Sequence, residues 1–311
     1  MEKTDSITTG MTDTDSEALR GTASDRNAAY RSTLKDRKRI VVKVGSSSLL
    51  HPSTGHVDFH RIDVLARELC DLKNRGKEVI LVSSGAMAVG RDALRAESDI
   101  LKRDGHMTLK QAYAAVGQAR LMMLYQKFFD DYNQTSAQVL MTMNNVTSGE
   151  GKENLQNTFT ELLRLGVIPV VNENDSVATS EIAVGDNDTL SAIVASLVGA
   201  DLLILLSDVD GLYSDDPHIH EDAKFIPLVE KLDDGIMSLG KSTTGSSAGT
   251  GGMQTKLSAA QIAVKSGCDM LILSGEDMHI IHRIIDGANY GTLFQAQPDG
   301  SFDLQRHLME E

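Results

Sequence analysis

The sequence predicts an α/β protein built on a mostly parallel sheet, and three observations carry that reading. Two successive units, IVVKVGSSSLL (Ile40–Leu50) and EVILVSSGAMAVG (Glu78–Gly90), each run from an apolar, β-branched stretch into Ser and Gly. A helical pattern follows each one, and strands that alternate with helices make parallel sheets. Two further apolar strand candidates, VIPVV (Val167–Val171) and DLLILLS (Asp201–Ser207), end directly in NEND (Asn172–Asp175) and DVDGLYSDD (Asp208–Asp216). Between them lies a small-residue helix, Thr189–Ala200, opened by GDND (Gly185–Asp188). Ligands of open α/β sheets bind beyond the carboxyl ends of strands, where loops meet helix N-termini. Three clusters of Asn and Asp in those places are too costly as packing, so they read as a site.

Composition narrows the class. The 311 residues are enough for one large domain or two smaller ones. With 41% hydrophobic and 24% charged residues the chain is globular, and no apolar run approaches the ~20 residues of a membrane span. A net charge of −14 argues against nucleic acid as a partner, although a local basic pocket for a small anion remains compatible. Cys70 and Cys268 sit in apolar segments without metal-ligand spacing, as buried free thiols of a reducing, cytoplasmic compartment do.

Residues 1 to about 36 are rich in Thr, Ser, Asp and Ala and are expected to form a mobile extension. In the first strand Lys43 interrupts the apolar run. As an edge residue it would reach water along its stem; near the strand's carboxyl end it would face phosphate. A helix follows over Arg61–Arg75, then the second strand–turn unit, then a long helix over Lys110–Asp131. That helix carries an apolar face of Tyr113, Val116, Leu121, Leu124 and Phe128, with Met107, Met122 and Met123 as core or subunit-contact filler. A strand over Gln138–Met143, a loop over Thr147–Lys152 and a helix over Asn154–Leu165 come next. After the central stretch, Glu230–Leu239 reads as a short helix and KSTTGSSAGTGG (Lys241–Gly252) as a mobile loop over a site. A helix from Met253 to Lys265, a strand over Met270–Ser274, a helix over Met278–Asp286, GTLF (Gly291–Phe294) and a polar tail over 299–311 complete the chain.

GIMSLGKS (Gly235–Ser242) matches the P-loop pattern, but the mechanism needs a strand before it and a helix opening at the Lys. Here acidic residues precede it and loop formers follow, so it is set aside. DVDG at Asp208 likewise lacks the spacing of a calcium loop.

Taken together, VVKVGSSSL, VSSGAMAVG, AAVGQARL, VIPVVNENDSVA, VGDNDTLSAIVA, LLILLSDVDGLYSDDP, GTGGMQTK and GTLF resemble the amino acid kinase family, in unbroken order from about residue 38 to 297. The resemblance implies a three-layer α/β/α sandwich spanning residues 37–298. The motifs are most similar to members that phosphorylate the side-chain carboxylate of L-glutamate with ATP and Mg²⁺, the first step of proline synthesis. On that resemblance Lys43 and Lys256 hold the transferring phosphoryl group from opposite sides, and Asp188 holds the lysines. Ser84, Asn172, Asp175, Asp186 and Asn187 bind glutamate. Gly45 and Ser46, Ser207 and Asp208, and the loop Thr250, Gly251, Gly252, Met253, Gln254, Thr255 and Lys256 contact the nucleotide. Feedback inhibition by L-proline and a homo-oligomer are implied too. Many members of this branch continue into a C-terminal PUA domain; the chain ends soon after GTLF, so a catalytic domain alone is expected.

The chemistry is consistent with that reading. A glutamate side chain is ionised at neutral pH, with a pKa of ~4.3, and is a nucleophile without a general base. None of the nine His lies in these motifs. Simpler roles exist: Asp188 as the cap of the following helix, Asn172 and Asp175 as turn residues, Lys256 as a surface lysine. Other family activities, on acetylglutamate, aspartate or UMP, and a non-catalytic nucleotide-binding regulator also stay open at this point.

Overall fold

The computed structural model describes residues 22–94, 107–177, 186–242 and 252–310. Strands β1 (Arg39–Val44), β2 (Glu78–Ser83), β3 (Ser136–Met141), β4 (Ile168–Glu173) and β5 (Leu202–Ser207) belong to one sheet. A short separate ribbon pairs β6 (Leu212–Tyr213) with β7 (Phe225–Ile226). With β8 (Leu228–Val229), β9 (Asp269–Ser274) and β10 (Thr292–Phe294), the main sheet has eight strands in the order β3-β4-β2-β1-β5-β9-β10-β8. Every pairing in it is parallel except β9 with β10.

The strands are apolar throughout because both faces are covered, and their two-residue period divides the core. Val41, Ile80, Val82, Leu203, Leu205, Met270 and Ile272 face one helical layer; Ile40, Val42, Leu81, Leu202, Ile204 and Leu271 face the other. The helices are α1 (Ala23–Arg31), α2 (Phe59–Asn74), α3 (Ala86–Ala93), α4 (Met107–Asp131), α5 (Met143–Thr147) and α6 (Gly149–Arg164), then α7 (Asn187–Val198), α8 (Asp234–Ser242), α9 (Met253–Lys265), α10 (Ile280–Ile285) and α11 (Leu304–Glu310). The first layer takes its apolar side chains from α6, α7 and α9, and the second from α2, α3, α4 and α10. The result is the expected three-layer α/β/α sandwich. In the second layer α3 and α4 meet backbone to backbone: a Cβ on Gly117 would stand 1.7 Å from the Ala86 carbonyl oxygen, and one on Gly90 1.9 Å from that of Tyr113.

Several local expectations are corrected. The loop expected over Thr147–Lys152 shrinks to Ser148, which follows the end of α5 and caps α6 by accepting from the Gly151 amide. The long helix begins at Met107 within the described residues, and its buried stripe runs through Tyr113, Gly117, Leu121, Tyr125 and Phe129. Tyr113 and Leu121 of the expected face are in it, while Val116, Leu124 and Phe128 give way to their neighbours Gly117, Tyr125 and Phe129. Met122 is buried in it, while Met123 is exposed. The helix expected over Glu230–Leu239 instead spans Asp234–Ser242, so GIMSLGKS is helical along its whole length and offers no phosphate-binding loop. The rest of the loop expected after it, residues 243–251, lies outside the described residues. The polar tail folds into α11 and buries Leu304.

The largest correction concerns the N-terminal segment. Residues 1–21 lie outside the described residues, but 22–36 are not an extension. Thr22 and Asp25 form a capping box that starts α1. Arg31, at its end, is fully buried. Its guanidinium donates to the Asn27 side chain at 2.8 Å and to the carbonyls of Tyr290, Pro227 and Gly291 at 2.7, 2.9 and 2.8 Å. Burial pushes its pKa down to about 10, for no carboxylate offsets the lost hydration. Tyr30 and Arg37 both reach Asp269, at 2.7 and 2.6 Å, so the segment clamps the β9–β10–β8 end of the sheet. The composition of this stretch hid the clamp because polar side chains form it.

Arg31→Leu leaves those carbonyls buried without a donor, at roughly 1–3 kcal/mol each for the ones that find no water. A fall in melting temperature of several degrees is the expected outcome. A change of less than about 1 °C would mean that α1 is not tied to the sheet.

Candidate active site

Sheet order creates the cleft. From β1 the chain first builds outward to β2, β4 and β3, then returns to place β5 and β9 on the other side of β1. The carboxyl ends of β2, β1 and β5 therefore point loops in opposite directions and leave a crevice between them. A cleft of about 230 Å³ opens there, lined by Lys43, Gly45, Ser46, Ser84, Asp175, Asp186, Asn187, Asp188, Ser207, Asp208 and Lys256.

Lys43 is no edge residue, because β1 lies between β2 and β5 and the side chain is buried. It shares parity with Val41, so it projects toward the layer that holds α7 and α9. There it meets Asp188, the second residue of α7, with Nζ 2.5 Å from Oδ1. Lys256, in the first turn of α9, places its Nζ 3.1 Å from Oδ2 of the same carboxylate. All three groups are buried, at 8%, 2% and 3% exposure in the order Lys43, Asp188, Lys256. Burial by itself would raise the Asp188 pKa, but the charges of Lys43 and then Lys256 outweigh it and hold the carboxyl below its usual value. One carboxylate cannot neutralise two ammonium groups. The trio brings two ammonium groups to one corner of the cleft, where the oxygens of an anion can meet them.

Backbone donors reinforce that end. The turn after β1 starts at Gly45, α3 at Gly85 and α9 at Gly252. Among the described residues no side chain takes the cap position at these starts, where first-turn amides can receive an oxyanion. Gly85 adopts φ 102°, a left-handed conformation that lets β2 turn directly into α3. A Cβ on Gly45 would stand 3.7 Å from Lys43 Nζ, in the space a phosphate oxygen would use.

The opposite end is amide and acid. Asn187 donates to Ser84 Oγ at 2.6 Å and to Asn172 Oδ1 at 3.2 Å, while Asn172 donates to Gln118 Oε1 at 2.9 Å. Ser83, beside Ser84, is anchored to the buried Tyr125 hydroxyl at 2.7 Å. Asp175 is partly buried, and desolvation raises its pKa. A carboxyl in that state is stabilised in its ionised form by a cation.

Most of the expected site residues thus converge. Asn172 stands behind the lining and acts on it through Asn187. Ser207 Oγ donates to Asp208 at 2.9 Å, at the end of β5. In the nucleotide loop, Thr250 and Gly251 lie outside the described residues. Gly252, Gln254 and Thr255 open α9, with Thr255 Oγ1 3.5 Å from Asp188 Oδ2, but the Met253 side chain packs into the core rather than the cleft. The simpler role offered for Asp188 belongs to Asp186. Its Oδ1 accepts from the amides of Asp188 and Thr189 at 2.8 and 2.9 Å, and its Oδ2 from the Thr189 hydroxyl at 2.9 Å. Ser47, Met87, Ala88 and Glu173 also line the cleft, and Gln118 supports it. All lie within the motifs quoted above, Ser47 in VVKVGSSSL, Met87 and Ala88 in VSSGAMAVG, Gln118 in AAVGQARL and Glu173 in NEND, but none was singled out as a site residue.

Comparisons with known proteins agree with this arrangement. The family model described as the amino acid kinase family matches residues 38–274. A glutamate 5-kinase of Clostridium perfringens (strain 13 / Type A) is 48% identical over 271 residues, covering 86% of this chain and 98% of the relative. One of Carboxydothermus hydrogenoformans is 48% identical over 264 residues, 85% of this chain and 69% of the relative. Among solved structures, the UMP kinase of Ureaplasma parvum superposes with TM-score 0.57 at 17% identity, over 83% of this chain and 99% of its own. The UMP kinase of Bacillus anthracis gives 0.58 at 15% identity, over 84% and 97%. At such low identity the two structures speak for the fold alone. Because the matched region contains every strand whose end opens on the cleft, from β1 to β9, the chain belongs to the amino acid kinase family.

Proposed function

We infer that this chain transfers the terminal phosphoryl group of ATP to the side-chain carboxylate of L-glutamate, giving L-glutamyl 5-phosphate and ADP, the first step of proline synthesis. The observation that carries the reading is the shared carboxylate of Asp188, which holds two lysines from distant parts of the chain at one cleft. The names of the relatives support glutamate as the acceptor.

A carboxylate oxygen of glutamate attacks the γ-phosphorus, the bond from that phosphorus to the β–γ bridging oxygen breaks, and ADP departs with the electron pair. No proton moves, so no histidine is needed. The requirement is charge neutralisation as two anions approach, since phosphoryl transfer rests on positioning and electrostatics. In this proposal Lys43 and Lys256 supply positive charge on two sides of the moving group, and Asp188 fixes where they stand. The amides of the turn at Gly45 and of the first turn of α9 receive phosphate oxygens. Ser207 and Asp208 face the nucleotide. Mg²⁺ fits as an ion carried largely by the nucleotide phosphates, because Asp188 already has an ammonium group against each oxygen. When bound it lowers the charge of the triphosphate.

At the other end, Ser84, Asn172 and Asn187 form the amide and hydroxyl surface for glutamate, and Asp175 pairs with its ammonium. Asp186 acts by setting the start of α7. Inhibition by L-proline and self-association belong to the same proposal. So does a cytoplasmic location, supported by two buried free cysteines. Among the described residues no helix is long and apolar enough to cross a membrane.

ADP release measured against glutamate, N-acetylglutamate, aspartate and UMP tests the reading, with glutamate the only good acceptor. Equal or faster turnover of another member of the panel overturns it. Lys256→Ala lowers turnover by about 10²–10³-fold, as loss of one transition-state donor does, with the fold retained. Hydroxamate formation from glutamate, ATP and hydroxylamine reads this out, and an unchanged rate removes the lysine from the mechanism. Asp175 gives a prediction of opposite signs. Its raised pKa means that the ionised form destabilises the unliganded protein, an effect absent below the unfolded pKa of about 3.9 and complete above the folded one. Asp175→Asn therefore raises the melting temperature at pH 7, and the difference shrinks as pH falls through the raised pKa. The same substitution increases the KM for glutamate roughly tenfold or more, the worth of a charged hydrogen bond. A variant that melts lower, or that keeps its KM, contradicts the assignment.

A further inference from the structure

We propose that Glu68, His279 and His282 form a binding site for a divalent transition-metal ion of the zinc class, on the helical layer opposite the Lys43–Asp188–Lys256 trio. Glu68 lies on α2, His279 is the residue before α10 and His282 is in its first turn. One donor atom from each lies within 4.8 Å of the other two. His279 Nδ1 is 2.8 Å from Glu68 Oε1, and His282 Nδ1 is 2.7 Å from Oε2, so both imidazoles turn the same nitrogen toward one carboxylate.

Three features favour a metal over packing. The Glu68 side chain is only 7% exposed, and no lysine or arginine pairs with it among the described residues. A buried carboxylate without a cation carries the desolvation cost of its charge, which a bound dication offsets. Two imidazoles and one carboxylate are the donor set of open zinc sites, with a water in the fourth position. The imidazoles are 42% and 40% exposed, so an ion can enter and the rings have room to adjust. One Glu68 oxygen and one nitrogen of each ring already lie within 4.8 Å of one another, so closing them to the roughly 3.4 Å that separates ligands on a tetrahedral ion takes shifts on the order of an ångström. The spacing of the histidines by three residues places both on one side of the helix start. A bound ion would tie α2 to α10 without touching the cleft.

The test uses the full chain stripped with chelator and titrated with Zn²⁺ alone, followed by calorimetry and melting. One equivalent is expected to bind, raising the melting temperature by about 5 °C at a hundredfold excess over Kd. Mg²⁺ at the same concentration should give no such shift. The pair His279→Asn and His282→Asn should abolish it, and Glu68→Gln should weaken Zn²⁺ binding at least tenfold. Should the double variant fold poorly, His279→Ala alone, at the helix start, replaces it. Co²⁺ should give the visible absorption of a four-coordinate N/O site in the wild type only. Unchanged Zn²⁺ affinity in the variants overturns the proposal, as does the absence of any Zn²⁺ shift in the wild type. In the latter case, a lower melting temperature for Glu68→Gln would identify the trio as a hydrogen-bonded clamp.

Discussion

One buried carboxylate sets the geometry of this molecule. Asp188 can sit in the interior only because two ammonium groups meet it, and each lysine can be buried only because Asp188 is there. Removal of Asp188 would leave two buried ammonium groups without their shared counter-charge, in a medium that penalises such a loss by several kcal/mol, whereas removal of one lysine leaves a one-to-one pair. The arrangement also costs local preferences. Lys43 interrupts an apolar central strand, and Lys256 sits in the first turn of a helix, where the dipole disfavours a cation. These departures converge on one cleft, where an incoming anion completes the neutralisation.

The rest of the architecture serves that meeting. Helix α7 is buried along almost its entire length, so its start cannot wander. Asp186 fixes its first turn, which places Asn187 toward Ser84 and Asn172 and Asp188 toward the lysines. The cleft is thereby divided: two ammonium groups and helix starts on one side, amide side chains and a carboxyl with a raised pKa on the other. That polarity matches the two ends of the proposed reaction, a triphosphate at the first and an amino acid's ammonium at the second.

Much of this was legible in the residues. Parallel strands ending in Ser, Gly, Asn and Asp located the cleft, because polar clusters after apolar runs have few other uses in a buried sheet. Lys43 was visible as a departure from the apolar strand around it, and Asp188 and Lys256 through the motifs GDND and GTGGMQTK. The sequence alone could not divide labour between Asp186 and Asp188, since both are good caps and only the start of the helix decides. Gln118 stood within the AAVGQARL motif, but its contact with Asn172 depends on how α4 crosses the end of β4, which the sequence does not show. The segment before β1 was misread because its anchor is a charged side chain satisfied by carbonyls from residues some 200–260 positions away. Periodicity cannot register a contact of that kind.

The close approach of Gly90 and Gly117 has one more implication. At that crossing no side chain separates the two backbones, so a shift of one helix against the other meets a hard contact rather than a side chain that can repack. Helix α3 begins at the turn that carries Ser84. The rim of the cleft at Ser84 thus rests, through α3, against the backbone of α4.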